Sequence, residues 1–177
     1  MKRPQLHSRL ARVKLFLCDV DGVLTDGSIY IGGSREIKRY HIQDGLGLVL
    51  LRRAGIKIGW VSSRPSLATT LRARELKIHF LVQQKDRVTK CSAIEAILKS
   101  EQLTWDDVCY MGDDIVDIGP LKKAGVGVAV ANAVAEAKAT ADLVTRAAGG
   151  NGAVREVIEM ILKAQGKWDA IVAGYSE

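Results

Sequence analysis

Short apolar runs alternate along most of the chain with stretches in which apolar residues recur at helical spacing. The runs predict β-strands at Val13–Cys18, Ile56–Val61, His79–Val82, Val108–Met111 and Val126–Val130. The stretches between and after them predict α-helices at 45–54, 66–76, 87–100, 115–123, 134–140 and 152–164, with Gly55 as the C-terminal cap of the first. This alternation indicates a doubly wound α/β fold around a mostly parallel sheet.

One segment interrupts the alternation. Ser28–Ile31 and Glu36–Ile42 have the two-residue period of strands, and Gly32-Gly33 lies between them, which predicts a β-hairpin over about 28–42. The hairpin is too short for a second domain, and an isolated hairpin is only marginally stable in water. Since it carries the apolar residues Ile29, Ile31, Ile37, Tyr40 and Ile42, it must pack on the body or on another chain, and we favour another chain.

Composition and charge narrow the class of protein. With 177 residues, 47% of them apolar and 26% charged, the chain is typical of a globular protein, and we expect one domain over 1–177 with a C-terminal tail at about 165–177. No apolar run approaches a membrane span and no secretory signal is visible, so we expect a cytoplasmic protein without a membrane partner. The net charge of +6 includes no basic stripe interleaved with aromatic residues, which argues against a nucleic-acid partner. Its three cysteines form no close pair and predict neither a disulfide nor a cysteine metal site.

Two carboxylates follow the first predicted strand without a break. Asp19 and Asp21 lead into a glycine-rich turn at Gly22, and such a pair can divide a reaction between a nucleophile and an acid–base group. A calcium loop of the EF-hand type is excluded, because its fifth and twelfth positions would be Val23 and Tyr30. Taken alone, the pair could equally support an ordinary turn.

A second acidic cluster changes that balance. The fourth predicted strand ends in Gly112-Asp113-Asp114-Ile115-Val116-Asp117, and parallel strands deliver their carboxyl ends to the same edge of a sheet. Carboxylates that converge there would repel one another unless a cation neutralised them. Oxygen ligands without His or Cys favour a hard ion, so the sequence predicts a Mg²⁺ site.

Two further polar residues occupy successive strand ends. Ser62 follows the second strand, where its hydroxyl and the backbone N–H groups of the turn could hold a phosphate. Lys90 lies early in the helix after the third strand and could reach the same edge as a point charge. Singly, Ser62 is more often a helix cap and Lys90 more often a solvated lysine, so the signal lies in their order.

That order resembles the haloacid dehalogenase superfamily of phosphohydrolases, which has a Rossmann-like fold. The motifs DVDGVLTDG, HIQDGLG, GDDIVD and AAGGNGAVRE, with a hairpin and no cap domain, are similar to the family of 3-deoxy-D-manno-octulosonate 8-phosphate (KDO 8-phosphate) phosphatases. The resemblance implies a Mg²⁺-dependent phosphatase that releases KDO and phosphate in lipopolysaccharide precursor synthesis. It also implies a homotetramer assembled through the hairpin, in which a neighbour partly closes each active site.

The resemblance assigns roles residue by residue. Asp19 would attack phosphorus and become an aspartyl phosphate, while Asp21 would protonate the leaving sugar oxygen and then activate water. The Asp19 carboxylate, the Asp21 backbone carbonyl and Asp113 would hold Mg²⁺. Residues predicted to bind the phosphoryl oxygens are Ser62 and Lys90, and those predicted to orient the metal ligands are Asp114 and Asp117.

The substrate contacts implied by the resemblance are His41, Asp44, Gly45, Arg64, Arg72 and Arg155. Local alternatives remain for several of them. Asp44 could be only the N-cap of the next helix, and Arg64 and Arg72 could be solvated. The family usually has Thr-Gly where this chain has Ser62-Ser63, which alters the turn before Arg64.

Other functions stay open at this stage. A nine-carbon ulosonate 9-phosphate or another sugar phosphate could be the substrate, although relatives with the nine-carbon preference tend to have Glu at the position of Arg64. A receiver domain that accepts a phosphoryl group on Asp also uses Mg²⁺, a hydroxyl and a Lys. Its phosphorylated Asp follows the third strand, however, without a carboxylate two residues away. A catalytically inactive relative is disfavoured because every predicted catalytic residue is present.

Overall fold

The computed structural model describes residues 3–33, 35–83 and 89–176. The helices are α1 (Arg3–Ala11), α2 (Ile42–Arg53), α3 (Leu67–Leu76), α4 (Lys90–Glu101), α5 (Ile118–Lys123), α6 (Ala135–Thr140), α7 (Ala153–Ala164) and α8 (Trp168–Ala173). The strands are β1 (Leu15–Cys18), β2 (Tyr30–Gly32), β3 (Arg35–Ile37), β4 (Lys57–Ser62), β5 (Phe80–Gln83), β6 (Val108–Gly112), β7 (Val126–Ala129) and β8 (Leu143–Val144). Single 3₁₀ turns lie at Trp105–Asp107 and Ile115–Asp117.

Six strands form the central sheet in the order β5-β4-β1-β6-β7-β8. Each neighbouring pair is parallel, which confirms the predicted doubly wound α/β fold. From β1 the chain builds one half of the sheet through β4 and β5 and later the other half through β6, β7 and β8. The strand order therefore reverses between β1 and β6, and ligands of such sheets bind in the crevice outside the strand ends at that point.

Helices cover the sheet in two groups. The first group contains α1, α2 and α7, which contact one another through α7, and the second contains α4, α5 and α6, which contact one another through α5. The inner face of α7 carries buried residues at Ala153, Val154, Val157, Ile158, Ile161 and Leu162, the spacing of one helix face. β1 is buried at every position, as expected for a strand covered on both faces. Within the described ranges, no helix combines the length and the apolar character that crossing a bilayer requires.

The predicted hairpin forms a separate two-stranded antiparallel sheet, in which Tyr30 pairs with Ile37. Its second strand is shorter than predicted and ends at Ile37, because the chain then turns Lys38 into the protein body. Tyr40 stacks on the core residue Trp60 with ring centroids 6.2 Å apart, and Ile42 begins α2. The hairpin keeps exposed apolar side chains, of which Ile31 retains 80% of its accessible surface.

Three elements were not predicted from the sequence: α1, β8 and α8. α1 has a polar sequence and is held by Arg9, which donates to the Gly125 carbonyl and to Asp142, and by the buried side chain of Leu10. β8 has only two residues, and α8 has none that is buried, so neither leaves an apolar period in the sequence. The predicted helix over 115–123 begins as a 3₁₀ turn, and α2 begins earlier than predicted, after His41. Positions 87 and 88 of the predicted helix over 87–100 lie outside the described residues.

Candidate active site

Asp19 lies at the point where the strand order reverses. It follows β1 directly, and its N–H donates to the Met111 carbonyl of β6 at 3.0 Å, which fixes its backbone between the two strands. One carboxylate oxygen accepts a 2.6 Å hydrogen bond from Lys90 Nζ, and the other accepts one from the Val20 N–H. Burial raises the pKa of Asp19 to about 6, against the opposing effect of the Lys90 charge.

Asp113 approaches this carboxylate from the end of β6. Its side chain lies against Gly22, whose φ is +88°, and a Cβ atom at Gly22 would overlap an Asp113 carboxylate oxygen. A glycine is therefore required here both for the turn and for the close approach. Asp113 Oδ1 is buried without a hydrogen-bond partner. Burial, followed by the negative charges of Asp19 and Asp117, raises the pKa of Asp113 to about 7.

Asp117 is fully buried and accepts hydrogen bonds on both oxygens. Oδ1 accepts from Lys90 Nζ at 2.7 Å and from the Tyr110 hydroxyl at 2.5 Å. Oδ2 accepts from the backbone N–H groups of Asp113 and Asp114 at 3.0 and 3.3 Å. These contacts favour the orienting role predicted for Asp117. Asp114, predicted to share that role, instead points to solvent and caps the 3₁₀ turn through the Ile115 N–H.

The acidic cluster has the donors that a hard cation requires. Asp19, Asp113 and Asp117 each offer an oxygen, and the three oxygens lie within 4.8 Å of one another. Four hydrogen-bond donors already occupy the Asp117 carboxylate. The better metal ligands are therefore Asp19 and Asp113. Carboxylate oxygens without nitrogen or sulfur suit Mg²⁺. Asp113 Oδ1, which has no hydrogen-bond partner, is available to bind such a cation.

Lys90 bridges two carboxylates of the cluster, those of Asp19 and Asp117. It is the first residue of α4, after the N-cap Thr89, and its ammonium donates to both Asp19 and Asp117. Burial opposes its positive charge, but the two carboxylates more than compensate and raise the pKa of Lys90. The solvated-lysine alternative is therefore wrong, since the side chain is 4% exposed.

The Asp21 side chain is paired with basic residues rather than grouped with the three clustered carboxylates. Its Oδ1 accepts a 2.6 Å hydrogen bond from Lys38 Nζ, and Arg64 Nε lies 3.5 Å from Oδ2. The Lys38 side chain is completely buried and also donates to the Thr69 hydroxyl at 3.2 Å. The sequence did not reveal a role for Lys38 or Thr69. A lysine in a predicted hairpin strand has the same pattern as a solvated lysine, and Thr69 is identified only by its contact with Lys38.

Ser62 lies at the same level of the sheet as the acidic loop. Cys18 pairs with Trp60 in the register of β1 and β4, so Ser62, at the end of β4, is level with Val20. Its hydroxyl donates to the Arg64 carbonyl and accepts from the Arg64 N–H, both at 3.2 Å. The alternative that Ser62 caps the next helix is wrong, because Ser66 is the N-cap of α3.

Arg64 extends from this turn to the hairpin. Its Nη1 donates to Glu36 Oε2 at 2.5 Å, and Ser66 Oγ donates to Glu36 Oε1 at 2.7 Å. The hydrogen bond from Arg64 is the main reason that the pKa of Glu36 falls to about 2. Arg64 is therefore paired with protein carboxylates, and its remaining atom Nη2 has no hydrogen-bond partner.

The other predicted substrate contacts divide into two groups. In the first, the Arg72 guanidinium lies against Gly45 and 5.9 Å from the Tyr40 ring centroid, and its Nε is buried without a partner. Arg72 also pairs with Glu75 at 2.7 Å. His41 precedes α2, and its buried Nδ1 has no hydrogen-bond partner. The structure thus brings the start of α2 and the face of α3 together.

Asp44 and Arg155 form the second group, which is joined through the backbone. Asp44 accepts from the N–H groups of Arg155 and Gly152 at 2.7 and 3.2 Å, so it caps α7 rather than α2. Burial raises the pKa of Asp44, although both N–H groups oppose the shift. The Arg155 guanidinium lies 5.2 Å from the Trp168 ring centroid and donates to Glu159, which directs it toward α8.

The segment before α7 supports the acidic loop from behind. Gly149 and Gly150 pack against the backbone of Gly22 and Thr25 so closely that added Cβ atoms would overlap it. The Gly150 N–H donates to the Val23 carbonyl at 2.9 Å, and Gly150 has a φ of +64°. The predicted C-terminal motif therefore contacts the loop that carries Asp19 and Asp21.

Comparison with known proteins gives consistent matches along the chain. A family model described as haloacid dehalogenase-like hydrolase matches residues 79–158. The 3-deoxy-D-manno-octulosonate 8-phosphate phosphatase of Salmonella typhimurium is 36% identical over 167 residues, which cover 94% of this chain and 88% of that protein. The protein of the same name from Escherichia coli strain K12 is 37% identical over 163 residues, or 92% of this chain and 86% of that protein.

This chain belongs to the family of 3-deoxy-D-manno-octulosonate 8-phosphate phosphatases. A crystal structure of the Moraxella catarrhalis phosphatase in complex with magnesium, phosphate and KDO superposes with a TM-score of 0.94 at 37% identity, covering 98% of this chain and 99% of that one. The cobalt-bound Haemophilus influenzae phosphatase superposes with a TM-score of 0.85 at 37% identity, covering 90% of this chain and 92% of that one. Membership confirms the resemblance and the fold predicted from the motifs of the sequence.

Proposed function

We propose that this phosphatase hydrolyses KDO 8-phosphate to KDO and phosphate in a Mg²⁺-dependent reaction with an aspartyl-phosphate intermediate. The observation that carries the proposal is the grouping of the buried Asp19 and Lys90 with the partly buried Asp113 where the strand order reverses. Family membership supports KDO 8-phosphate as the substrate, because relatives that match nearly the whole chain are named KDO 8-phosphate phosphatases. The proposed reaction is a step in lipopolysaccharide precursor synthesis.

Asp19 is the proposed nucleophile. One of its carboxylate oxygens attacks phosphorus, the bond from phosphorus to the sugar oxygen breaks, and the phosphoryl group becomes attached to Asp19. Lys90 lies 2.6 Å from the same carboxylate, where its ammonium can hold the phosphoryl oxygens as they arrive. The Ser62 hydroxyl, level with Val20 at the neighbouring strand end, is the proposed second phosphoryl contact.

Asp21 is the proposed acid–base group. In the first step the Asp21 carboxyl proton passes to the departing sugar oxygen, which leaves as a neutral hydroxyl. In the second step the Asp21 carboxylate takes a proton from water, the water oxygen bonds to phosphorus, and the bond between phosphorus and Asp19 breaks. Phosphate leaves, and Asp21 is protonated again for the next cycle.

Asp19, the Asp21 backbone carbonyl and Asp113 would hold Mg²⁺, with Asp117 positioning Asp113 and Lys90. When bound, the ion supplies a positive clamp on the phosphoryl oxygens and offsets the charge that develops on them. The unpartnered Asp113 Oδ1 and the space that Gly22 leaves beside it support this assignment. The Moraxella catarrhalis relative was crystallised with magnesium.

The proposed substrate contacts keep the set implied by the sequence: His41, Asp44, Gly45, Arg64, Arg72 and Arg155. Arg64 and Arg72 are best suited to an anionic group, because each has a buried guanidinium nitrogen without a hydrogen-bond partner. Gly45 allows the Arg72 guanidinium to lie against α2. Asp44 contributes through the backbone that it fixes, and Arg155 would have to leave the Trp168 ring to reach a sugar.

Residues 1–177 are proposed to form one domain, and four copies to assemble through the hairpin. The exposed side chains of Tyr30 and Ile37, which are paired across the hairpin and so share one face, support the assembly, because an exposed apolar surface favours contact with another chain. The proposed location is the cytoplasm, which suits free cysteines at positions 18, 91 and 109. Light scattering that found a stable monomer would contradict the tetramer.

Phosphate release from purified protein tests the proposal. The wild type should hydrolyse KDO 8-phosphate with Mg²⁺ and lose the activity in a chelator, and Asp19→Asn should be inactive under both conditions. A nine-carbon ulosonate 9-phosphate serves as the competing substrate. Faster turnover of that sugar would overturn the substrate, and Mg²⁺-dependent activity of Asp19→Asn would overturn the nucleophile.

A further inference from the structure

The proposed acid–base group needs a fixed position. Asp21 lies in the loop after β1, and its carboxylate contacts Lys38, which follows β3 of the hairpin, and Arg64, which follows β4. Its short side-chain contact is the 2.6 Å hydrogen bond from Lys38, whereas Arg64 Nε, at 3.5 Å, is at the limit of hydrogen-bond distance. The direction of the carboxylate is therefore set mainly by Lys38.

Lys38 is itself held on several sides. Its side chain has no exposed surface, and its ammonium donates to the buried Thr69 hydroxyl at 3.2 Å. Glu36 Oε1 lies 3.6 Å away, and the Tyr40 hydroxyl donates to the same Thr69 oxygen. A buried ammonium is strongly disfavoured unless it stays paired, so this ion keeps a carboxylate beside it.

We propose that Lys38 is a positioning residue for Asp21, and this inference rests on the function proposed above. Lys38 holds the Asp21 carboxyl group at the place where a proton passes to the leaving sugar oxygen and later comes from water. It touches neither the substrate nor phosphorus. Proton transfer needs heavy atoms within hydrogen-bond reach, and a displacement of about 1 Å can lower a rate roughly 100-fold.

A purely structural role is the competing explanation, because Lys38 also anchors the hairpin to α3 through Thr69. The two roles differ in their dependence on the leaving group. A sugar alkoxide is a poor leaving group and needs the proton from Asp21, whereas p-nitrophenolate leaves without one. A general loss of structure would slow both substrates alike, but a misplaced Asp21 would slow the sugar phosphate selectively.

The test compares Lys38→Met with wild type on KDO 8-phosphate and on p-nitrophenyl phosphate. The ratio kcat/KM reports steps up to departure of the leaving group, so activation of water does not enter it. We expect kcat/KM to fall roughly 100-fold on the sugar phosphate and less than about 5-fold on p-nitrophenyl phosphate. On the latter, kcat and KM should fall together, because hydrolysis of the aspartyl phosphate still needs Asp21.

Lys123→Met is the matched control, since Lys123 is half exposed and pairs with Glu95 on α4. It should leave both ratios unchanged. If Lys38→Met does not fold, Thr69→Val decides, because it keeps the ammonium but removes the hydroxyl that fixes it. A selective loss of the same sign, at least about 3-fold, is then expected.

Equal losses on the two substrates in the folded variant would overturn the role of Lys38. Equal losses in Thr69→Val would do the same where Lys38→Met cannot be made. A wild type that hydrolyses p-nitrophenyl phosphate but not KDO 8-phosphate would overturn the proposed substrate alone. An alkyl phosphate that the enzyme does hydrolyse would then replace KDO 8-phosphate in the comparison. A wild type inactive on every phosphate ester would overturn the proposed function itself.

Discussion

Replacing Asp113 by Asn should stabilise the metal-free protein while it abolishes the response to Mg²⁺. The Asp113 carboxyl group is partly buried beside Asp19 and Asp117, and its pKa is raised to about 7. A carboxyl group whose pKa is higher in the folded than in the unfolded state holds its proton longer when folded. The free energy of unfolding of the metal-free wild type should therefore decrease as the pH rises from about 4 to about 7.

The size of the effect follows from the shift in pKa. Between the ordinary value of 3.8 and about 7, the full linkage would amount to roughly 4 kcal/mol near neutral pH. The Asp113 side chain is partly exposed, and Asp19 competes for the same proton, so we expect about 2 to 3 kcal/mol. In a chain of this length that corresponds to an increase in Tm of roughly 4 to 12 °C.

Thermal and urea unfolding in a chelator, at about pH 7 and about pH 4.5, measure this difference. Asp113→Asn should exceed the wild type in stability at the higher pH and approach it at the lower. Added Mg²⁺ should raise the Tm of the wild type but not that of the variant, and Asp169→Asn, on the exposed start of α8, is the matched control. A variant less stable than the wild type at neutral pH, or a difference independent of pH, would refute the reasoning.

Three further changes test other contacts of the site. Gly22→Ala places a Cβ atom on the Asp113 carboxylate, so the Mg²⁺ concentration for half-maximal activity should rise about 10-fold or more; an unchanged Mg²⁺ titration would contradict this. Lys90→Met leaves two buried carboxylates without their cation and should cost about 3 to 5 kcal/mol in urea unfolding at neutral pH, whereas a loss below about 1 kcal/mol would show that the pair is not buried as described. Asp44→Ala removes the acceptor for two N–H groups at the start of α7 and should cost about 1 to 3 kcal/mol, with Asp44→Asn losing less; equal stability of Asp44→Ala and wild type by thermal unfolding would exclude the capping role.

The sequence was sufficient for five of the six strands of the central sheet and for the acidic cluster, because these depend on short-range patterns. Buried strands appear as apolar runs, and a carboxylate directly after such a run must lie at the strand's carboxyl end. The sequence alone therefore predicted that Asp19 and Asp113 lie close together. In the structure β1 and β6 are parallel neighbours, which places the two carboxylates side by side.

Contacts between distant segments could not be predicted in the same way. Lys38 has the pattern of a surface lysine, and only the turn of the chain after β3 reveals that its side chain is buried. Asp44 has the local signal of a helix cap, but the N–H groups that it accepts from belong to α7. Arg155 carries a family motif, yet the ring of Trp168, on an unpredicted helix, attracts its guanidinium.

The contact between Gly149-Gly150 and the loop after β1 has a consequence for how the site is made. The loop that carries Asp19 is synthesised more than a hundred residues before Gly149 and Gly150, which support its backbone. Contacts between segments so far apart form late, because closing the intervening chain must precede them. A nascent chain on the ribosome can thus hold both aspartates and most of the sheet before the loop has its final shape. Activity should appear only after Gly149 and Gly150 have emerged and packed against that loop.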